Sequence, residues 1–382
     1  MKSKISHAKL SDGTKNLKSQ ISNLKSSGGH TYCVIMAGGR GERFWPLSTG
    51  KIPKPFLPLT GAKTLIQLTV ERAMLFVPKE RIFIVLGRTH LNVALTQLPE
   101  LPWDNFIVEP VGRDTAACIG LAATVLSLKD ERATMVVLPA DQYVPDVKKF
   151  ADTITSCVAM ADRGDYLVTM GIKPMRAETG YGYIYARKNI NAKKDIICFT
   201  VEKFVEKPDQ ERAAEYIKDG NYYWNAGIFI WKTKTVLEGM QTHMPILYNG
   251  LHAIKGALRE GKKAKADALF REFERKSIDY GLMERAENVL MVPANFIWDD
   301  VGTWASLQRV LDLDGKGNYT RGDTICIDSH DCVVVGDEKV IGVIGVSNLV
   351  IVSSKNGILV CDSSRVQEVR EITKRLNEKN NK

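Results

Sequence analysis

Tyr32-Cys33-Val34-Ile35-Met36-Ala37-Gly38-Gly39-Arg40-Gly41-Glu42-Arg43-Phe44-Trp45-Pro46-Leu47-Ser48 is the stretch that decides the fold class. Its first part is a short apolar run closed by two glycines, the pattern of a buried strand entering a loop. Its second part is a glycine-rich turn carrying two arginines, with Pro53-Lys54-Pro55-Phe56-Leu57-Pro58-Leu59 close behind. A glycine-rich turn at the carboxyl end of a first strand is where doubly wound folds bind nucleotides. Glycines there let backbone N–H groups approach phosphate oxygens. Two familiar phosphate loops are excluded. GxxxxGK[ST] is absent, and GxGxxG fails because Phe44 stands where its third glycine should be. A different cradle is expected, built from Gly38, Gly39 and Gly41 with Arg40, Arg43 and Lys54 as fixed cations. Arginine grips phosphate as a fork and lysine acts as a point charge.

Outward from this loop, short apolar runs alternate with helical patterns. Ile82–Leu86, Phe106–Val108, Met135–Leu138 and Tyr166–Met170 read as strands. Thr64–Val77, Asp114–Leu128 (with Asp114 as N-cap) and Lys148–Ala161 read as helices. That alternation predicts βαβ units and a parallel sheet. From about residue 180 the pattern becomes mixed, with strands at Tyr181–Ala186, Phe199–Glu206 and Ala226–Trp231. Helices follow to about residue 290, and another spans Trp304–Leu311. Composition shifts at Asp312–Asp323. Beyond it Cys332–Val335, Val340–Ile344, Leu349–Val352 and Ile358–Val360 read as short strands at near-regular spacing, like coils of a β-helix. Arg365–Leu376 reads as a terminal helix. The expected chain is α/β: a Rossmann-like doubly wound mixed sheet over 30–312 and a small β-helix-like C-terminal domain over 313–382. Residues 1–29 are expected to be a disordered basic tail.

The bulk properties agree with a soluble globular protein. Apolar residues make up 44% and charged residues 25% of the 382. The net charge is +9, but Lys2, Lys4, Lys9, Lys15, Lys18 and Lys25 against Asp12 place +5 of it in the first 29 residues. The tail lacks the aromatic interleaving of a single-strand binder, so no nucleic-acid and no membrane partner is expected. The seven cysteines are scattered with no CxxC, which predicts reduced thiols packed in the core and a cytoplasmic location. No run is long and apolar enough for a signal peptide or a membrane span. The dispersed histidines offer no zinc pattern.

GGxGxRxxPLS followed by PKPFLPL resembles the sugar-1-phosphate nucleotidyltransferases, and the Phe44-Trp45-Pro46-Leu47-Ser48 wording is similar to members that couple GTP to mannose 1-phosphate. The likeness continues through Glu109-Pro110-Val111-Gly112-Arg113-Asp114-Thr115-Ala116, Leu138-Pro139-Ala140-Asp141, Phe204-Val205-Glu206-Lys207-Pro208, Trp224-Asn225-Ala226-Gly227, Ser277-Ile278-Asp279-Tyr280-Gly281 and Trp298-Asp299-Asp300-Val301-Gly302. It covers about residues 31–310 and implies a nucleotidyltransferase fold of the GT-A-like kind.

Several residue roles follow. Asp141 closes a strand, where a carboxylate faces the ligand crevice. With the distant Asp300 it can share one Mg²⁺, although each Asp alone would serve as a turn or helix cap. Asp299 should point the opposite way from Asp300. Glu109 can accept two hydrogen bonds from guanine's N1–H and amine, where uracil or thymine would present acceptors. The resemblance puts Gly112, Arg113, Asp114 and Thr115 near the base. It also implies that Glu206 reads sugar hydroxyls and Lys207 meets the sugar phosphate, with Gly182, Asn225, Gly227 and Asp279 around the sugar. An exposed Glu-Lys-Pro turn is the plain alternative for Glu206 and Lys207. The expected reaction is attack of a hexose 1-phosphate oxygen, most simply that of mannose 1-phosphate, on the α-phosphorus of GTP. It needs no strong base and is catalysed by Arg43, Lys54, Asp141 and Lys207 through positioning and charge. A transferase for another base or hexose and a non-catalytic regulatory subunit are the alternatives. The absence of a histidine-rich motif after Asp312 predicts a monofunctional chain, and a homodimer is the default assembly.

Overall fold

The computed structural model describes residues 29–39, 41–189, 196–337 and 339–380. The expected basic tail, save Gly29, and the loop cation Arg40 lie outside the described residues. Nine strands form one mixed sheet: β1 Thr31–Met36, β2 Ile82–Gly87, β3 Phe106–Glu109, β4 Thr134–Pro139, β5 Leu167–Ile172, β6 Tyr183–Asn189, β7 Phe199–Val205, β8 Tyr222–Lys232 and β9 Val289–Pro293. Their order is β3-β2-β1-β4-β8-β5-β9-β7-β6. The β3-β2-β1-β4 half is parallel, and β8 runs antiparallel to both β4 and β5.

Strand β1 is buried on both faces, so its run is continuously apolar. Cys33 and Ile35 enter one core with Val70 of the helix Leu65–Ala73 and Ile154 of the helix Val147–Asp162. Tyr32 and Val34 enter the opposite core with Ile119 of the helix Asp114–Lys129 and Ile254 of the helix Pro245–Arg259. The helix Asp114–Lys129 is apolar nearly all round because it lies between the sheet and a second helical layer. Gly120 makes this possible: a Cβ there would sit 2.5 Å from Leu251 Cδ1. A Rossmann-like mixed sheet covered on both faces is therefore what this chain forms.

Some elements differ from expectation. β8 starts four residues before the expected Ala226, taking in the Tyr222-Tyr223-Trp224 run. β9, at the end of the stretch expected to be helical, was not expected. The expected helix Trp304–Leu311 is a 3-10 turn, Trp304–Ser306, and one short helix, Leu307–Val310, entered through a Thr303–Ser306 capping box.

The second unit begins at β10 Tyr319–Arg321. It continues through β11 Thr324–Ile327, β12 Val333–Gly336, β13 Ile341–Ile344, β14 Leu349–Ser354 and β15 Gly357–Asp362 to the helix Val369–Asn380. β10, β12 and β14 are parallel, as are β11 and β13, which gives stacked β-helix-like coils. Its core is shared with the first unit. Val333, Val335, Val350, Val352, Val366 and Val369 pack with Phe44, Leu57, Leu59, Trp304 and Leu307.

Candidate active site

The chain reverses its winding between β1 and β4, so the loops after these strands lie side by side at their carboxyl ends. The loop after β1 is shaped by Gly41. Its φ is +60°, and a Cβ would lie 2.6 Å from both Lys54 Cβ and Lys54 N. Only glycine satisfies both the left-handed backbone and the contact. Ser48 Oγ donates to the Gly41 carbonyl (2.6 Å), and the Phe44 N–H donates to the same oxygen. Gly41 therefore lets the cation-bearing Lys54 segment lie directly against the glycine turn.

Asp141 and Asp300, 159 positions apart in numbering, are brought together by a backbone bridge. The Tyr143 N–H donates to the Asp299 carbonyl (2.9 Å), and the Asp299 N–H returns the bond to Tyr143 (3.1 Å). Lys54 Nζ then donates to Asp141 Oδ2 (2.9 Å) and to the Asp300 backbone carbonyl. The Asp300 carboxylate accepts from Tyr181 OH (2.6 Å). Asp299 points elsewhere. It is buried, gripped by Arg309 in a fork (3.0–3.2 Å), and accepts the Val301 N–H. Val301 has φ +47°, costly for a β-branched residue. Its side chain is fully buried in the core shared by the two units, which holds it there.

Around this junction opens a cavity of about 830 Å³, within the size range of nucleotide and cofactor sites. Of the predicted residues, Gly38, Gly39, Gly41, Arg43, Lys54, Glu109, Gly112, Asp141 and Asp300 line it. Glu109 is 6% exposed, and its Oε1 has no hydrogen-bond partner among the described residues. Burial pushes its carboxyl up to about 7.

Three predicted base-binding residues do not line the cavity. Arg113 Nη2 donates to the Arg271 carbonyl. Asp114, the first residue of its helix and not the N-cap the sequence predicted, has φ +67° and accepts the Thr115 N–H (2.7 Å). Thr115 Oγ1 accepts from the Ile278 N–H (2.8 Å). All three bond to backbone at the start of that helix or at the turns beside it.

The predicted sugar residues form their own cluster. Asn225 Nδ2 donates to Asp279 Oδ1 (2.9 Å), and the Gly227 N–H donates to Asn225 Oδ1 (3.1 Å). Lys207 Nζ pairs with Glu206 Oε1, and the Lys207 N–H donates to the Tyr181 carbonyl (3.2 Å). Gly182 lies beneath Glu206, where a Cβ would collide with the carboxylate. Burial, then the neighbouring Glu206, pushes the Asp279 carboxyl up to about 7, against Lys207 and Asn225. Tyr181 joins the two clusters, through its hydroxyl to Asp300 and its carbonyl to Lys207.

Sequence reasoning missed Tyr181 as a link, and Arg88, His90, Arg275 and Arg370 as cavity residues. Isolated arginines carry no motif, so only the fold could bring them in. Among the described residues no group of three or more His, Cys, Asp or Glu could hold a metal by itself. Asp141 and Asp300 both line the cavity, and hard oxygen donors on its wall suit Mg²⁺, which takes one or two carboxylates and completes its shell with water and phosphate.

Residues 32–316 match the family model described as Nucleotidyl transferase. The chain belongs to that family. Residues 322–376 match a second model, MannoseP isomerase/GMP-like beta-helix domain. Among curated relatives of this nucleotidyl transferase, a mannose-1-phosphate guanylyltransferase of Escherichia coli is 38% identical over 342 residues, covering 88% of the chain and 72% of that protein. The alginate biosynthesis protein AlgA of Pseudomonas fluorescens is 36% identical over 349 residues, covering 90% and 71%. A Thermus thermophilus crystal structure described as mannose-1-phosphate geranyltransferase superposes with a TM-score of 0.83 at 37% identity, covering 91% of this chain and 99% of that one. No described helix is long and apolar enough to cross a membrane.

Proposed function

We propose that the chain transfers GMP from GTP to α-D-mannose 1-phosphate, forming GDP-mannose and pyrophosphate. The observation that carries this reading is one cavity combining a glycine turn, cations and a buried carboxylate at Glu109 that lacks a partner among the described residues. The name of the Escherichia coli relative supports the choice of substrates.

In this reading Glu109 accepts guanine's N1–H and amino N–H groups. Arg43 and the amides of the glycine turn hold the β- and γ-phosphates. Lys54, donating to both Asp141 and Asp300, sits where the α-phosphate would lie. Lys207 holds the incoming sugar phosphate, and Glu206, Asn225 and Asp279 accept or donate to the sugar hydroxyls. An oxygen of the sugar phosphate forms the new bond to the α-phosphorus as the bond to the β-phosphate oxygen breaks, and the electron pair leaves with pyrophosphate. The nucleophile is already anionic, so no side chain need take a proton. Asp141 and Asp300 would hold a Mg²⁺, which when bound neutralises phosphate charge.

The direct test is incubation with GTP, Mg²⁺ and a panel of hexose 1-phosphates, then with other nucleoside triphosphates, identifying the nucleotide sugar by mass and chromatography. GDP-mannose should form fastest. Preference for another base or hexose would refute the substrate assignment, and no pyrophosphate release with any pair would refute catalysis. The reading includes a cytoplasmic homodimer, which light scattering and cell fractionation would check.

A further inference from the structure

We propose that Arg370, on the C-terminal helix Val369–Asn380, binds the polyphosphate of the nucleotide, so that the β-helix-like unit supplies part of the nucleotide site. This rests on the nucleotide reading of the cavity given above.

Three observations carry it. First, Arg370 lines the same cavity as Gly38, Gly39, Arg43 and Lys54, although it lies more than three hundred positions away in sequence. Second, its guanidinium has no ion-pair or hydrogen-bond partner among the described residues, and the same is true of Arg43 and Arg275 on that cavity's walls. On the same cavity Arg88 is held by Asp267, and other arginines of the chain are likewise paired, as Arg309 is with Asp299 and Arg365 with Glu368. Several unpaired guanidinium groups facing one partly enclosed space repel one another, and a bound polyanion turns that cost into charge-assisted hydrogen bonds. Third, the helix is fixed relative to the phosphate loop. Val366 and Val369 are buried in one core with Phe44 and Trp304. Ser354 Oγ and Asn356 Nδ2 both donate to the Pro46 carbonyl (3.1 and 3.0 Å). Trp304 Nε1 donates to the Trp45 carbonyl (3.1 Å). Arg370 is thus carried at a set position beside Glu42–Phe44. A solvated surface arginine is the alternative, and it predicts no effect on ligand affinity.

The test compares the full chain with Arg370→Ala, Arg370→Lys and, on the same helix but outside the cavity, Arg375→Ala. Two readouts are needed: steady-state kinetics, and calorimetric titration with inorganic pyrophosphate alone. Arg370→Ala should raise KM for GTP and weaken pyrophosphate binding on the order of tenfold. KM for the sugar phosphate and the melting temperature should stay at wild-type values. Arg370→Lys should recover part of the loss, since it keeps the charge and loses the fork, and Arg375→Ala should behave as wild type. Values for Arg370→Ala within about twofold of wild type would overturn the proposal. So would an equal loss for both substrates with a lowered melting temperature, which would mark a packing role. If the wild type makes no GDP-mannose, the substrate reading fails, and the pyrophosphate titration still decides on Arg370. A wild type that does not bind pyrophosphate overturns both.

Discussion

At the scale of single residues, Glu109 shows how the site trades stability for recognition. Its carboxyl sits at about 7 because burial penalises the anion, while pairing with guanine requires the anion. The KM for GTP should therefore fall as pH rises from 6 to 8, and Glu109→Gln should flatten that profile and blunt selectivity for guanine over adenine. A pH profile unchanged by the substitution would sink the assignment. The stability effect has a definite sign. A folded-state value raised above the ordinary 4.5 means that the folded chain binds more protons than the unfolded one between those pH values, so stability falls as pH rises across the window. Without ligand, Glu109→Gln should raise the melting temperature by a few degrees at pH 8, reflecting at most ~3 kcal/mol, and change it little at pH 4.5. Glu109 was legible in sequence because it ends a strand and begins a motif. Arg113, Asp114 and Thr115 follow in the same motif, yet their side chains go to backbone partners, and a motif does not reveal such orientation.

At the scale of elements, the sugar cluster depends on two strands coming closer than a side chain allows. Gly182 stands just before β6, and a Cβ there would meet Glu206 Oε2 at the end of β7. Gly182→Ala should push the Glu206 carboxylate aside. The expected result is a KM for the sugar phosphate raised about tenfold or more, with KM for GTP and the melting temperature near wild type. Equal effects on both substrates would show that the strand, not the cluster, had moved. Lys207, φ +49°, and Val301, φ +47°, are further points of backbone strain, both beside predicted ligands. The parallel half of the sheet was legible because its strands are continuous apolar runs separated by amphipathic helices. β8 was read short because its first residues, Tyr222-Tyr223-Trp224-Asn225, are an unbroken aromatic run closed by an amide, with no apolar–polar alternation to mark a strand. β9 was hidden because Val289–Pro293 directly follows a helical region with no strong turn signal.

At the scale of the whole molecule, the two units cannot be separated without opening one core. Phe44, Leu57, Leu59, Trp304 and Leu307 face Val333, Val335, Val350 and Val352, and all nine are buried. Gly357, with φ +148°, would place a Cβ 2.7 Å from the Trp45 ring, so the β14–β15 turn lies flat on the segment between the glycine turn and Lys54. This joint was invisible in sequence, where the composition shift near residue 312 resembles an ordinary linker. It implies that the C-terminal unit holds Arg43 and Lys54 in place as well as covering apolar surface. A chain ending at residue 316 would expose the first unit's share of that core, at ~25 cal/mol for each Å² of apolar surface left in water. It would also release the Pro46 and Trp45 contacts that fix the loop. Such a chain should be poorly soluble or, where soluble, should lose at least a hundredfold in kcat while keeping far-ultraviolet circular dichroism typical of an α/β fold. A soluble truncated chain with wild-type turnover and an unchanged melting temperature would show that the phosphate loop is set by the first unit alone.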